Sequence, residues 1–306
     1  MSSDHFPVLL DEVIEMLITD VDGTYIDCTL GFGGHSSAIL NKLSKQGFLI
    51  GLDLDPYALS KAKEKLDKVH GKRFSLHHAS YKEFPRILKK LGIDKVNGFL
   101  FDLGISSYQV DSEHRGFSYN KEGPLDMRFN PEGNQNAKDF LAEVSEKKLI
   151  KILQLYAEIG SSRKIAKKII ERRNENKMNT TLDLKNAISD ATNGCSNKIL
   201  SRVFQAIRIC VNQEIETFKK TLAVTPDYLI EGGRILVISF HSIEDRITKH
   251  FFKDSIIKDE YDYYRKDIVN KDLKLKVLTK KPIMASDKEL SLNKRSRSAK
   301  LRVSEL

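Results

Sequence analysis

Apolar residues in this chain fall into short runs separated by amphipathic stretches. Thr24–Cys28, Phe48–Leu52, Phe74–His78 and Gly98–Leu103 are short β-favouring runs, the last apolar throughout apart from Asp102. Ser36–Lys45, Pro56–Val69 and Lys82–Leu91 lie between them with helical spacing, Pro56 standing in a first turn. Ahead of the first strand, Val8, Leu9, Val13 and Leu17, with acids between them, predict a short opening helix. Short apolar strands alternating with helices predict a mainly parallel sheet covered by helices, an α/β fold.

The alternation stops at Gly104. Residues 104–136 are rich in Gly, Ser, Asn and Asp and lack periodicity, yet include Arg115, Phe117, Tyr119, Met127, Arg128 and Phe129. That content is too aromatic for a plain linker, and so long a stretch without periodicity points to function. Ala137–Val144, Glu146–Ile159, Ser162–Asn174 and Thr181–Thr192 then read as helices, with Ser145 and Thr180 or Thr181 as caps. Ile199–Leu222 reads as one long helix, Gly232-Gly233 as a turn and Arg234–Phe240 as a further buried strand, so the α/β pattern resumes. Lys276–Ala285 and Ser298–Val303 suit a closing antiparallel pair. The expected organisation is one α/β domain over 1–112 and 200–306, interrupted by an inserted loop and helical substrate-recognition domain over 113–199.

A chain of 306 residues is long enough for one large domain and a smaller companion. The net charge of +9 is unevenly spread: eleven basic and three acidic residues lie between Lys271 and Arg302. Such a segment suits a polyanion such as nucleic acid, or equally a solubilising surface. Cys28, Cys195 and Cys210 show no paired spacing, which points to a reduced, cytoplasmic protein with no disulfide framework and no metal site. The longest apolar runs, such as Ile235–Phe240, are far short of the roughly 20 residues of a membrane span. Asp4, Asp11, Glu12 and Glu15 make the opening segment unlike a signal peptide.

The chemistry gathers at strand ends. Tyr25-Ile-Asp27-Cys-Thr-Leu-Gly31-Phe-Gly33-Gly34-His35 reads as a strand, a glycine turn and a helix start, where the backbone can approach a ligand and free N–H groups can meet it. Asp53 ends the next strand, where an acid can bind the ribose hydroxyls of an adenosine cofactor. Asp55 is an alternative ribose binder, but Pro56 follows it and makes it a helix cap. A dinucleotide fingerprint would read Gly31-x-Gly33-x-x-Ser36, with Ser at its third small position. That favours S-adenosyl-L-methionine (AdoMet) over NAD, and Asp27 suits an ammonium better than a pyrophosphate. Asp102-Leu-Gly-Ile-Ser-Ser107 closes the fourth strand on the same edge. Ile238-Ser-Phe-His241-Ser-Ile-Glu-Asp245-Arg246 closes the resumed strand, and His241 is there either a substrate contact or structural. Cys28 lies in the glycine turn and Cys210 beside Ile209 and Val211, so neither reads as a nucleophile.

Together these strings resemble the RsmH (MraW) family of bacterial 16S rRNA cytosine-N4 methyltransferases. The resemblance runs from His5-Phe-Pro-Val-Leu-Leu-Asp-Glu12 through Arg115-Gly-Phe-Ser118, Gly123-Pro-Leu-Asp-Met-Arg128, Arg202-x-Phe-Gln-Ala-Ile-Arg208 and Val211-Asn-Gln-Glu214. It continues to Leu278-Thr-Lys-Lys-Pro-Ile283 and Asn293-Lys-Arg-Ser-Arg-Ser298. It implies a class I (Rossmann-like) methyltransferase fold with an inserted helical domain. It also implies methyl transfer from AdoMet to a cytidine amine in the decoding region of small-subunit rRNA. Carried over by position, the cofactor contacts are Gly33, Gly34, His35, Asp53, Tyr81, Asp102 and Gln109. Tyr81 stands where the family often has Phe, and Lys294 where it often has Pro. Many amino methyltransferases carry an Asn/Asp-Pro-Pro-Tyr/Phe string after the fourth strand; here Asp102-Leu-Gly-Ile stands instead, which makes Asp102 the candidate proton acceptor. The target base must leave its stack to react. Arg115, Arg128, Arg246, Arg295 and Arg297 are the candidate rRNA phosphate contacts. The partner implied is 16S rRNA or the small subunit, with no membrane; a homodimer stays open. Methylation of another RNA, a nucleotide-cofactor oxidoreductase and a non-catalytic RNA-binding assembly factor remain the alternatives.

Overall fold

The computed structural model describes residues 7–133, 135–194, 196–254 and 275–306, and the backbone of 256–257 and 268–269. Asp4, His5, Cys195, Lys271, Asp272 and Lys274 lie outside the described residues. The chain divides into two compact units, residues 1–104 with 216–306 and residues 105–215.

In the first unit the strands are β1 (Thr24–Asp27), β2 (Phe48–Asp53), β3 (Phe74–His78), β4 (Val96–Asp102), β5 (Leu229–Ser239), β6 (Ile256–Ile257), β7 (Ile268–Val269), β8 (Lys276–Val277) and β9 (Lys300–Glu305). Seven form one sheet in the order β3-β2-β1-β4-β5-β9-β8, while β6 and β7 pair separately. Strands β1 to β5 run parallel, and β9 enters antiparallel beside β5. The strand order reverses between β1 and β4, the switch point where parallel α/β sheets hold ligands beyond the strands' carboxyl ends.

The sheet is apolar on both faces because successive side chains alternate. Tyr25, Leu49, Leu100, Leu236 and Ile238 pack on one side with residues of α1 (Leu10–Leu17), α2 (Gly34–Lys42) and α3 (Pro56–His70). Ile26, Ile50, Phe99, Phe101, Ile235 and Val237 pack on the other with Phe84, Leu88, Phe218 and Phe251. Gly232-Gly233 lies within β5 and is not a turn. Gly232 takes φ 76°, the register against β4 shifts there and resumes at Arg234, where pairing with β9 also begins. The extra residues form a bulge, which glycine permits at no steric cost.

The second unit is helical, with α5 (Ser107–Asp111), α6 (Ala137–Glu143), α7 (Glu146–Ile152), α8 (Ser162–Asn174), α9 (Thr181–Thr192) and α10 (Asn197–Asn212). Ser145 caps α7, and Thr180 caps α9 in a reciprocal box with Asp183. Phe117, Leu125 and Met127 of the aperiodic stretch are buried in the core of this unit. The predicted single helix over 199–222 is two, α10 and α11 (Glu214–Val224), parted at Gln213 with φ 51°. Local bonding offsets that break. Asn212 accepts the Phe129 N–H and donates to the Met127 carbonyl, both at 2.7 Å. Arg208 donates to both carboxylate oxygens of buried Glu214 at 2.8 and 2.9 Å. The predicted helix over 146–159 is likewise shorter, passing at Leu153 into a wider turn that ends at Ala157. The remaining helices are α4 (Phe84–Leu91), α12 (Ser242–Asp254) and α13 (Asp287–Leu292), all in the first unit.

Candidate active site

Three carboxylates stand at the carboxyl ends of β1, β2 and β4, three neighbouring strands of the sheet. Asp27 is 1% exposed. Its Oδ1 accepts the Thr29 N–H at 3.1 Å and its Oδ2 the Ser36 hydroxyl at 2.7 Å. Burial pushes its carboxyl up to about 6, against the lowering effect of those two bonds. Asp27 therefore builds the glycine turn, and each of its oxygens retains a further lone pair. Asp53 accepts the Gly31 N–H at 2.7 Å on Oδ2 and the Asp55 N–H at 2.8 Å on Oδ1. Each oxygen retains a further lone pair for a hydroxyl. Burial raises this carboxyl to about 6 as well. Asp55 is the cap of α3, accepting the Tyr57 N–H at 3.0 Å.

Asp102 is held differently. Its backbone N–H donates to Thr29 Oγ1 at 2.7 Å, which ties the end of β4 to the turn after β1. Its Oδ2 lies 3.6 Å from His35 Nδ1, within ion-pair range. Its Oδ1 is buried with no hydrogen-bond partner. Burial raises the carboxyl to about 6; His35 opposes this, while Asp27 and Glu244 add to it. An acceptor oxygen enclosed without a donor is costly unless a ligand supplies one.

The turn between β1 and α2 needs its glycines for different reasons. Gly33 has φ 72°, a left-handed conformation, and a Cβ there would also stand 3.3 Å from Ala62 Cβ. A Cβ on Gly34 would meet Pro7 Cγ at 2.6 Å. His35 is 6% exposed, and its Nε2 donates to the Val8 carbonyl at 2.9 Å. Tyr81 is half-buried after β3, edge-on to Phe101 with ring centres 5.7 Å apart.

These residues fit AdoMet. Asp53 can take ribose hydroxyls, and the turn brings backbone N–H groups close. The electrostatics discriminate against NAD, because three neighbouring carboxylates attract a sulfonium and an ammonium and repel a diphosphate.

His241 begins the segment after β5. Its Nε2 is 3.1 Å from Glu244 Oε1, and its Nδ1 accepts the Glu244 N–H at 3.5 Å. Glu244 is 2% exposed and also accepts the Phe240 N–H at 3.0 Å. The imidazole is thus held against the first turn of α12. Arg246 is half-buried on α12, while Arg295 and Arg297 are exposed in a short turn over 294–298. Much of the basic excess nearby is internally paired. Arg302 and Lys300 bond Asp245 at 2.6 and 3.3 Å, and Lys276 meets Glu305 at 3.2 Å.

In the second unit, Gln109 closes a capping box with Ser106 at the start of α5. Arg115 is buried, and its Nη2 donates to the carbonyls of Arg128 and Phe129 at 2.8 and 2.9 Å. Arg128 grips Asp126 through Nε at 3.0 Å and Nη2 at 2.7 Å. Both guanidinium groups brace this loop from within.

Thr29 and Glu244 are not singled out in the sequence, and Ser36 is read there only as the third small position of the glycine pattern, not as a partner of Asp27. Thr29 and Glu244 give no such signal.

The family model described as the MraW methylase family matches residues 2–306. A "Ribosomal RNA small subunit methyltransferase H" from Caldicellulosiruptor bescii is 44% identical over 308 residues, covering 99% of each chain. Proteins of the same name from Clostridium botulinum and Hydrogenovibrio crunogenus are 43% and 42% identical, covering 99% of this chain and 99% and 96% of theirs. Among the described residues no helix is long and apolar enough to cross a membrane. With its glycine turn, its three strand-end carboxylates and a match from one end of the sequence to the other, this chain belongs to the MraW methylase family.

Proposed function

We propose that the protein transfers the methyl group of AdoMet to the exocyclic N4 of a cytidine in the decoding region of 16S rRNA, acting in the cytoplasm on the small ribosomal subunit. The observation that carries this reading is the part-exposed Asp102 carboxylate at the end of β4, standing with Asp27 and Asp53 beside a cation-favouring glycine turn. The donor, when bound, would supply an electrophilic methyl group on a sulfonium sulfur, the S–C bond breaking as the methyl leaves and the donor departing as a neutral thioether.

A cytosine amine is a weak nucleophile because its lone pair is delocalised into the ring. The Asp102 carboxylate accepts a hydrogen bond from N4–H and so holds the nitrogen in line with the methyl group. As the N–C bond forms, N4 becomes positively charged and loses its proton to the same carboxylate. Near neutral pH this carboxylate is mostly ionised, since its pKa of about 6 lies below 7. Positioning of this kind can lower a barrier by roughly 7–11 kcal/mol at best. Asp53 holds the ribose, Gly33 and Gly34 admit the donor's backbone-facing edge, and Tyr81 offers a ring for adenine. Gln109 is the further cofactor contact, and His241 a substrate-side group oriented by Glu244. Arg246, Arg295 and Arg297 take rRNA phosphates, and the helical unit recognises the substrate. The donor side of this chemistry lies within one chain and does not require a homodimer.

The test is mass spectrometry of rRNA nucleosides after incubating the protein and AdoMet with subunits that lack the modification. Appearance of N4-methylated cytidine at one decoding-region position is the expected result. Methyl transfer to no subunit RNA would leave the RNA-binding assembly factor in its place.

A further inference from the structure

Glu289 lies far from Asp102 in sequence, yet a continuous set of contacts connects them. Glu289 Oε1 accepts two bonds, one from the Leu9 N–H at 2.9 Å and one from the Ser296 hydroxyl at 2.6 Å. Leu9 is fully buried and takes a left-handed backbone, φ 53° and ψ 41°, which a branched residue adopts only when its surroundings hold it there. The residue before it, Val8, presents its carbonyl to His35 Nε2 at 2.9 Å. A carbonyl can only accept, so Nε2 carries a proton, and Nδ1 is the atom left facing Asp102 Oδ2 at 3.6 Å. Ser296, at the other end, sits between Arg295 and Arg297.

We infer that Glu289 is a positioning residue for methyl transfer: by fixing Leu9 and the Val8 carbonyl it sets the orientation of His35, and through it the state of Asp102, while tying that set to the exposed Arg295–Arg297 turn. The inference rests on the reading of Asp102 as proton acceptor. Asp102 is faced by His35 of α2, Asp27 of β1 and Glu244 of α12. Of these, only the imidazole can favour the ionised carboxylate. Turning that ring away therefore leaves Asp102 among like charges and harder to ionise. The tie to Ser296 gives RNA held by the neighbouring arginines a physical route to the reacting end of the site.

The experiment compares the full-length parent with Glu289→Ala, Glu289→Gln, His35→Gln and the double variant Glu289→Ala/His35→Gln. It measures the pH dependence of kcat and KM on subunits, and records nitrogen-15 spectra of the His35 ring without substrate. Glu289→Ala should lower kcat about tenfold or more, as expected for a small misplacement of a reacting group. Its acid limb should move to higher pH, and its ring signal should depart from the parent's Nε2-protonated form. Glu289→Gln keeps an acceptor oxygen and should stay within about twofold of the parent, a change worth less than about 0.5 kcal/mol. The double variant should be no slower than His35→Gln alone. Should Glu289→Ala fail to fold, Glu289→Asp, one methylene too short to bring its oxygen within reach of both donors, must shift the limb and the ring signal in the same direction. A ring signal and acid limb unchanged in the Ala or Asp variant would overturn the inference, even if kcat fell. Absence of methyl transfer by the parent would instead overturn the proposed function, and the spectra would still decide the role of Glu289.

Discussion

Replacing Asp53 by Asn separates what this carboxylate does for the fold from what it does for the cofactor. Raising a carboxyl from its ordinary 3.8 to about 6 corresponds to about 3 kcal/mol against the charged form at neutral pH. Asn removes that penalty. It also surrenders one of the two backbone bonds, from Gly31 or Asp55, at a cost of about 1.5–3 kcal/mol for a bond to a charged group. The two effects nearly cancel, so the variant should unfold in urea at neutral pH within about 1.5 kcal/mol of the parent. AdoMet binding has no such compensation. Loss of charged bonds to the ribose should cost about 1.5–3 kcal/mol, raising Kd roughly 10- to 150-fold by calorimetry. The sign with pH is also fixed. A carboxyl whose pKa is raised by folding destabilises the fold above that pKa and is neutral in its effect below 3.8. The parent therefore loses stability as pH rises through this window, and Asp53→Asn should lose less. An AdoMet affinity unchanged in a folded Asn variant would refute the ribose assignment.

Three further outcomes are expected. The rate of methyl transfer should fall as pH drops through about 6, because protonation of Asp102 removes the acceptor; Asp102→Asn should abolish that limb along with most activity, which stopped-assay profiles would show. Arg295→Ala with Arg297→Ala should reduce the slope of log K against log salt for subunit binding by about 2, since each arginine neutralises one phosphate; an unaltered slope would remove the turn from the RNA surface. Arg115→Lys cannot bond both the Arg128 and Phe129 carbonyls in the guanidinium geometry, and should destabilise the second unit by about 1–3 kcal/mol in urea melts.

Much of this architecture can be read in the residue pattern because the sheet is apolar on both faces and its helices are amphipathic. The run Gly98–Leu103 announces β4, and Pro56 after Asp55 announces a capped helix. The misreadings have local causes. Gly232-Gly233 has the composition of a turn but serves as a bulge, since pairing with β4 and β9 continues past it. Gln213 interrupts a stretch with unbroken helical spacing because Arg208 and Glu214 bond across the break and Asn212 ties its near side to Met127 and Phe129, and periodicity carries no trace of such bonds. At the site, the acids at strand ends were legible from position alone. What they bond to was not. Asp27 turns out to be occupied by Thr29 and Ser36, and Arg115 by two carbonyls, because the direction a buried side chain takes is settled by partners distant in sequence.

The discontinuity of the first unit bears on how the protein is made. The β4 strand leaves the ribosome more than a hundred residues ahead of β5, its neighbour in the sheet. At about 5–20 residues per second, its outer edge waits roughly ten seconds without a mate. During that interval the contiguous helical unit is synthesised and can collapse on its own core, while the apolar ribbon around Phe99 and Phe101 stays open to nascent-chain chaperones or to a wrong strand.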